Sequence, residues 1–172
     1  MDLHFEIYNE DGVFYKSTNK RDFDFAHIDT KYNLMKLWNL CFGRKALHNG
    51  ELHWKKTSSE DNSNFLKSEF KNTDWDSYNK GKDIDDIKKS SLTILGELQF
   101  GNWALVYRDL FKLLHADTNS GVDLFIYITA YGNLLSYASK GIVSYGKTIK
   151  ILNEFNNIIK TPIWVIGLDI EF

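Results

Sequence analysis

The sequence predicts an α/β domain of mixed α+β type, a central mixed β-sheet flanked by helices, and three observations lead there. Short apolar or period-two runs at 83–87, 92–100, 122–129 and 162–168 read as strands of a sheet covered on both faces. Stretches with apolar residues three and four apart lie between them, at 103–115 and 142–159, and read as helices. Strands alternating with helices indicate a layered sheet domain. The composition, 43% hydrophobic with 15% aromatic and 26% charged residues, is that of a globular protein and not of a disordered one.

At 172 residues and 20.1 kDa the chain fits one domain, 1–172, with a core over 60–172 and a helical N-terminal part over 1–59. Alternating Leu3, Phe5 and Ile7 suggest a short strand or edge segment at the start. Over 28–47, Leu34, Leu37, Trp38, Cys41 and Phe42 form one helical face behind an Asp29 or Thr30 cap. Residues 54–63 are polar and serine-rich and read as a loop. Residues 64–72 read as a short helix with Phe65, Leu66 and Phe70 inward. A hairpin from 83–87 to the strand at 92–100 makes the sheet mixed.

The net charge of -2 and pI near 6.2 do not announce a nucleic-acid binder, so any such role rests on local lysine clusters at Lys55-Lys56, 80–89 and 140–150. Runs of this kind more often form a solvated face. No apolar run is long enough to span a bilayer, and Met1-Asp2-Leu3-His4 does not open a secretory leader, so no membrane partner and a cytoplasmic location are expected. Cys41, the single cysteine, reads as a core thiol. His27 and His115 lack a second ligand at helical spacing and read as structural. Tyr8, Tyr137 and Tyr145 read as core or rim, and Trp38, Trp103 and Trp164 as packing residues.

Chemistry concentrates in Asp83-Ile84-Asp85-Asp86 and, with eleven residues between it and Asp85, Glu97-Leu98-Gln99-Phe100. On a strand Glu97 and Gln99 share a face while Leu98 points the other way. If Asp85 ends a neighbouring strand on that face, two carboxylates converge, and hard oxygen ligands with open positions suit Mg2+. Such a site activates water against a phosphodiester. The bland alternative is solvated edge charge. Asp83 and Asp85 share one parity and Asp86 the other, and a bulge at Asp85-Asp86 would exchange them.

Asp-Ile-Asp followed by Glu-Leu-Gln-Phe-Gly-Asn resembles the PD-(D/E)XK nuclease motif in the E-x-Q variant of the BglII/BstYI-like type II restriction endonucleases, with glutamine in place of lysine. The similarity continues through Arg108-Asp109-Leu110-Phe111, 121–129, Ala138-Ser139 and 161–168. The resemblance implies a single nuclease domain of restriction-endonuclease-like fold. It further implies Mg2+ as cofactor, double-stranded DNA as substrate cut at a short palindrome with a GATC-like core, a homodimer, and a DNA methyltransferase in the same system. It makes Asp85 and Glu97 metal ligands with the Leu98 carbonyl as a third, and Asp85, Glu97 and Gln99 the catalytic set. Asn102 and Ser139 become DNA-contacting residues, with Lys140 and Gly141 replacing small polar residues beside Ser139 and so changing base preference. Three rivals remain: a repair or recombination nuclease sharing the metal site, a non-catalytic DNA-binding protein on a degenerate nuclease fold, and a metal-free interaction domain. Gln99 and the acidic pI make the non-catalytic reading plausible.

Overall fold

The structure, a computed structural model, describes residues 3–10, 12–16, 21–42, 47–48, 51–52 and 88–171. Backbone contacts divide the chain into two compact units, Met1–Ile28 with Ser91–Phe172, and Asp29–Ser90.

The first unit is built on a six-stranded sheet of order β2-β1-β3-β6-β7-β8. Its strands are β1 (Leu3–Glu10), β2 (Val13–Lys16), β3 (Phe23–His27), β6 (Ile94–Gln99), β7 (Leu124–Ala130) and β8 (Ile163–Leu168). β1 pairs antiparallel with both β2 and β3, and β3 antiparallel with β6. β7 and β8 then add in parallel. Parallel neighbours need a crossover, and helices supply both. The helix α2 (Leu105–Ser120) joins β6 to β7, while α3 (Leu134–Tyr137) and α4 (Tyr145–Phe155) lie between β7 and β8. Val106, Leu110 and Leu113 of α2 are buried in one cluster with Leu95, Phe125 and Tyr127 of the sheet and with Ile7 and Phe23 from the N-terminal strands. Burying such side chains contributes about 1.5–3 kcal/mol each, so this seam is the main hold between helix and sheet.

In the second unit α1 (Thr30–Phe42) follows Asp29, whose carboxylate accepts from the Tyr32 N–H at 2.9 Å and caps the helix as expected. The same carboxylate accepts from the Ser90 N–H at 2.6 Å and hydroxyl at 2.8 Å, tying together the two ends of the unit. Leu34, Met35 and Leu37 are buried. A two-stranded ribbon of β4 (Leu47–His48) and β5 (Glu51–Leu52) completes the described part.

The mixed α+β sheet architecture agrees with the expectation. Residues 1–59, expected to be mainly helical, contribute three strands of the main sheet as well as α1. The first of them, β1, is the strand that alternating Leu3, Phe5 and Ile7 suggested, whereas β2 and β3 were not expected. The loop at 54–63, the helix at 64–72 and the strand at 83–87 lie outside the described residues. Among the described strands, the antiparallel neighbour of β6 is β3. Trp103 and Trp164, expected to pack, are 44% and 60% exposed. Among the described residues no helix is long and apolar enough to cross a membrane.

Candidate active site

The parity expected on β6 is the one observed: Glu97 and Gln99 are buried on the side covered by α2, and Leu98 between them is 46% exposed on the other. One turn pair of α2 faces them. Asp109 is wholly buried, an unusual place for a carboxylate unless it is paired. It accepts from Gln99 Nε2 at 2.8 Å and from the Tyr127 hydroxyl at 3.3 Å, with the Arg108 guanidinium at 3.0 Å and Lys112 Nζ at 3.1 Å. Burial and the adjacent Asp109 push the Tyr127 hydroxyl far up, so it stays a proton donor. Lys112 reaches past Asp109 to Glu97, with Nζ 2.5 Å from Oε1, and also donates to the Asp22 carbonyl. Gln99 is committed at both ends, because its Oε1 accepts from the Gly101 N–H at 2.9 Å.

A second carboxylate stands beside Glu97. Phe25 of β3 pairs with Gly96, so continuing the antiparallel register by one residue sets Asp24 opposite Glu97. The Leu98 N–H donates to Asp24 Oδ2 at 2.7 Å, which holds the Asp24 carboxylate beside Glu97. Burial raises the Glu97 pKa to about 8, Asp24 pushes the same way, and Lys112 opposes both.

The donors here are oxygens, which suits a hard divalent ion. Among the described residues no group of three or more His, Cys, Asp or Glu side chains is placed to hold a metal. Mg2+ requires less than that, being held characteristically by one or two carboxylates with water completing its shell. Glu97 and Asp24 are neighbouring carboxylates across the β3–β6 pair. Asp85, together with Asp83 and Asp86, lies outside the described residues.

The segments expected to contact DNA come together behind β6. Asn102 forms an antiparallel bridge with Ile142, the Trp103 N–H donates to the Gly141 carbonyl at 3.1 Å, and the Val143 N–H donates to the Gly101 carbonyl at 2.9 Å. Gly141 has φ 100°, a conformation that a residue with a Cβ rarely adopts, which explains a glycine between Lys140 and Ile142. Asn102, Ser139 and Lys140 are all exposed. The Asn102 side-chain oxygen accepts from the Ala104 N–H at 2.9 Å, so part of its hydrogen-bonding capacity serves the turn into α2.

Asp24, Asp109, Lys112 and Tyr127 are the residues of this cluster that patterning alone did not single out. Asp109 carried a usable signal, since it falls among the buried positions Val106, Leu110 and Leu113 of an amphipathic helix. Asp24 carried none, because its meeting with Glu97 depends on a strand pairing between residues 73 positions apart in sequence.

No curated protein matches the chain. The family of restriction endonuclease BglII/BglIII matches residues 44–168, which takes in Glu97, Gln99, Asn102, Lys112 and the 139–141 loop and leaves β1 to β3 outside. With the match covering most of the chain and a buried Glu-x-Gln pair at the centre of the sheet within it, the protein belongs to the BglII/BglIII restriction endonuclease family and is a DNA nuclease.

Proposed function

We propose that the protein is a type II restriction endonuclease, a single nuclease domain that cuts both strands of DNA at a short palindrome with Mg2+ as cofactor. The observation that carries this is the pairing of Glu97 and Gln99 on β6, inside the family-matched residues, with the Lys112 ammonium hydrogen-bonded to Glu97 and the Asp24 carboxylate opposite it across the β3–β6 pair. In the reaction a water oxygen bonds to phosphorus, one P–O ester bond breaks, the water loses a proton and the departing alkoxide gains one. Mg2+ when bound lowers the pKa of water and offsets the charge that builds on the phosphate. Glu97 and the Leu98 carbonyl would hold it, together with the Asp85 carboxylate that the family resemblance assigns. Gln99, anchored between Gly101 and Asp109, keeps the strand end and α2 in register instead of reaching outward.

The paired loops at Asn102 and 139–141 present Asn102, Ser139 and Lys140 as the DNA-contacting set, with Gly141 supplying the turn. A GATC-like core, a C2 homodimer and a companion methyltransferase in the cytoplasm complete the reading by resemblance, since two identical sites are needed on the two strands of a palindrome. Glu97→Gln tests it, because the change removes ligand charge and keeps shape. Cleavage of plasmid DNA in Mg2+ should fall by at least about 1,000-fold, as for loss of a group acting on the transition state, while DNA binding in Ca2+ persists. Undiminished cutting by Glu97→Gln ends the proposal, and binding without cutting by the parent protein marks the non-catalytic alternative.

A further inference from the structure

Every family member that cuts phosphodiesters must meet the negative charge of the phosphate, and the residue at the lysine position of β6, Gln99, has no charge to offer. We infer that Lys112, on the helix that follows the catalytic strand, supplies this positive charge, reaching from α2 to the place that β6 leaves neutral. The inference rests on the nuclease reading above.

Gln99 is not free to be replaced by a cation. Its carbonyl oxygen accepts the Gly101 N–H at 2.9 Å and its amide donates to Asp109 at 2.8 Å. A lysine has no acceptor, so at position 99 it would strip the Gly101 N–H of this partner where the chain turns from β6 into α2. An amide is what the local backbone demands, and the charge has to come from elsewhere.

Lys112 is held where that charge is needed. Its ammonium has three donors, and three acceptors meet them: Glu97 Oε1, Asp109 Oδ1 and the Asp22 carbonyl. The Phe23 ring lies beneath, with its centroid 5.9 Å from Nζ. Asp109 is itself fixed by Gln99, Tyr127 and Arg108, so the line Gln99–Asp109–Lys112–Glu97 ties the neutral residue of the motif to the cation. The side chain of Lys112 keeps 18% of its surface, against 6% for Glu97, so it is the more accessible of the two. A cofactor ion bound at Glu97 would occupy that carboxylate and leave one Lys112 donor for an anionic oxygen of DNA. Arg108 is a poorer candidate, because its guanidinium is fixed on Asp109, whereas Lys112 reaches Glu97 itself.

The test uses the full chain, plasmid DNA and three readouts: kcat and KM for cleavage, Mg2+ affinity by calorimetry, and thermal unfolding. Lys112→Met should lower kcat by about 100-fold, the loss seen when one transition-state donor is removed. Its KM should stay within about threefold, and its Mg2+ affinity should be no weaker than the parent's. Lys112→Arg should recover at least about tenfold of the lost rate, since it restores charge. A Lys112→Met kcat within threefold of the parent overturns the inference, as does a loss that excess Mg2+ fully restores, which would make Lys112 only a support for Glu97. If Lys112→Met fails to fold, Lys112→Arg and Lys112→Gln carry the comparison, and equal activity of the two is equally decisive against it. Binding of DNA without any cutting by the parent protein would instead sink the nuclease reading, so the two failures are distinct.

Discussion

Glu97 has neighbours that disagree about its proton. Burial and Asp24 favour the neutral acid and lift its pKa to about 8, whereas Lys112 favours the anion. An unfolded glutamate titrates near about 4.3, so between that value and about 8 the folded state holds a proton that the unfolded state has lost. Stability from this group is therefore complete at low pH, declines as pH rises through that window, and is level above it. Thermal unfolding of the metal-free protein from pH 5.5 to 8.5 should show a falling midpoint, with a shallower slope in Glu97→Gln. An equal slope in the two proteins would refute this account. The partner of Glu97 at the metal is decided by comparing Asp85→Asn with Asp24→Asn. We expect Asp85→Asn to lose cleavage by about 1,000-fold, as for loss of a direct ligand, and Asp24→Asn to keep activity and to bind metal at lower pH, since it removes a negative neighbour. A dead Asp24→Asn beside an active Asp85→Asn would move the ligand to β3. At this scale the shared face of Glu97 and Gln99 was legible, because period two is a property of one strand. Lys112 and Asp24 were not, because each arrives from another element.

Legibility also differed among elements. The strands expected at 92–100, 122–129 and 162–168 appear as Ile94–Gln99, Leu124–Ala130 and Ile163–Leu168, and the helices expected at 103–115 and 142–159 as Leu105–Ser120 and Tyr145–Phe155. These are the parts with continuous apolar or amphipathic patterns. β2 has only four residues and β3 reads Phe-Asp-Phe-Ala-His, too short and too polar for periodicity to separate a strand from a loop. The junction of β3 with β6 depends on one small residue. A Cβ at Gly96 would collide with the ring of Phe25, its partner across the pair. Gly96→Ala should therefore destabilise the protein by about 1–3 kcal/mol through overpacking, and Phe25→Leu in the same chain should recover part of that. Denaturant unfolding of the three proteins checks this, and an unchanged Gly96→Ala would mean that the ring moves away at no cost.

Across the whole molecule, the sheet order could not be read from sequence, since nothing local marks β3 as the neighbour of β6. The consequence is testable by division of the chain. A piece covering 44–172 retains the family-matched residues but lacks β1 to β3, leaving one edge of β6 without its hydrogen-bond partner. It should be insoluble or aggregate by light scattering, and co-expression of residues 1–43 should raise its soluble yield. A monomeric, cooperatively folding 44–172 piece would show that the N-terminal strands are dispensable. The same order sets a timetable during synthesis. Sixty-six residues separate His27 from Ile94, several seconds of translation at about 5–20 residues per second. β3 must therefore wait for β6, and β6 in turn for β7 on its far side. A ribosome that stops early releases a chain with Asp24 but no Glu97, or with Glu97 on a strand not yet enclosed. The capacity to cut DNA thus comes only once β6 and β7 have both been made and paired, and a product that stops before Glu97 carries no nuclease site.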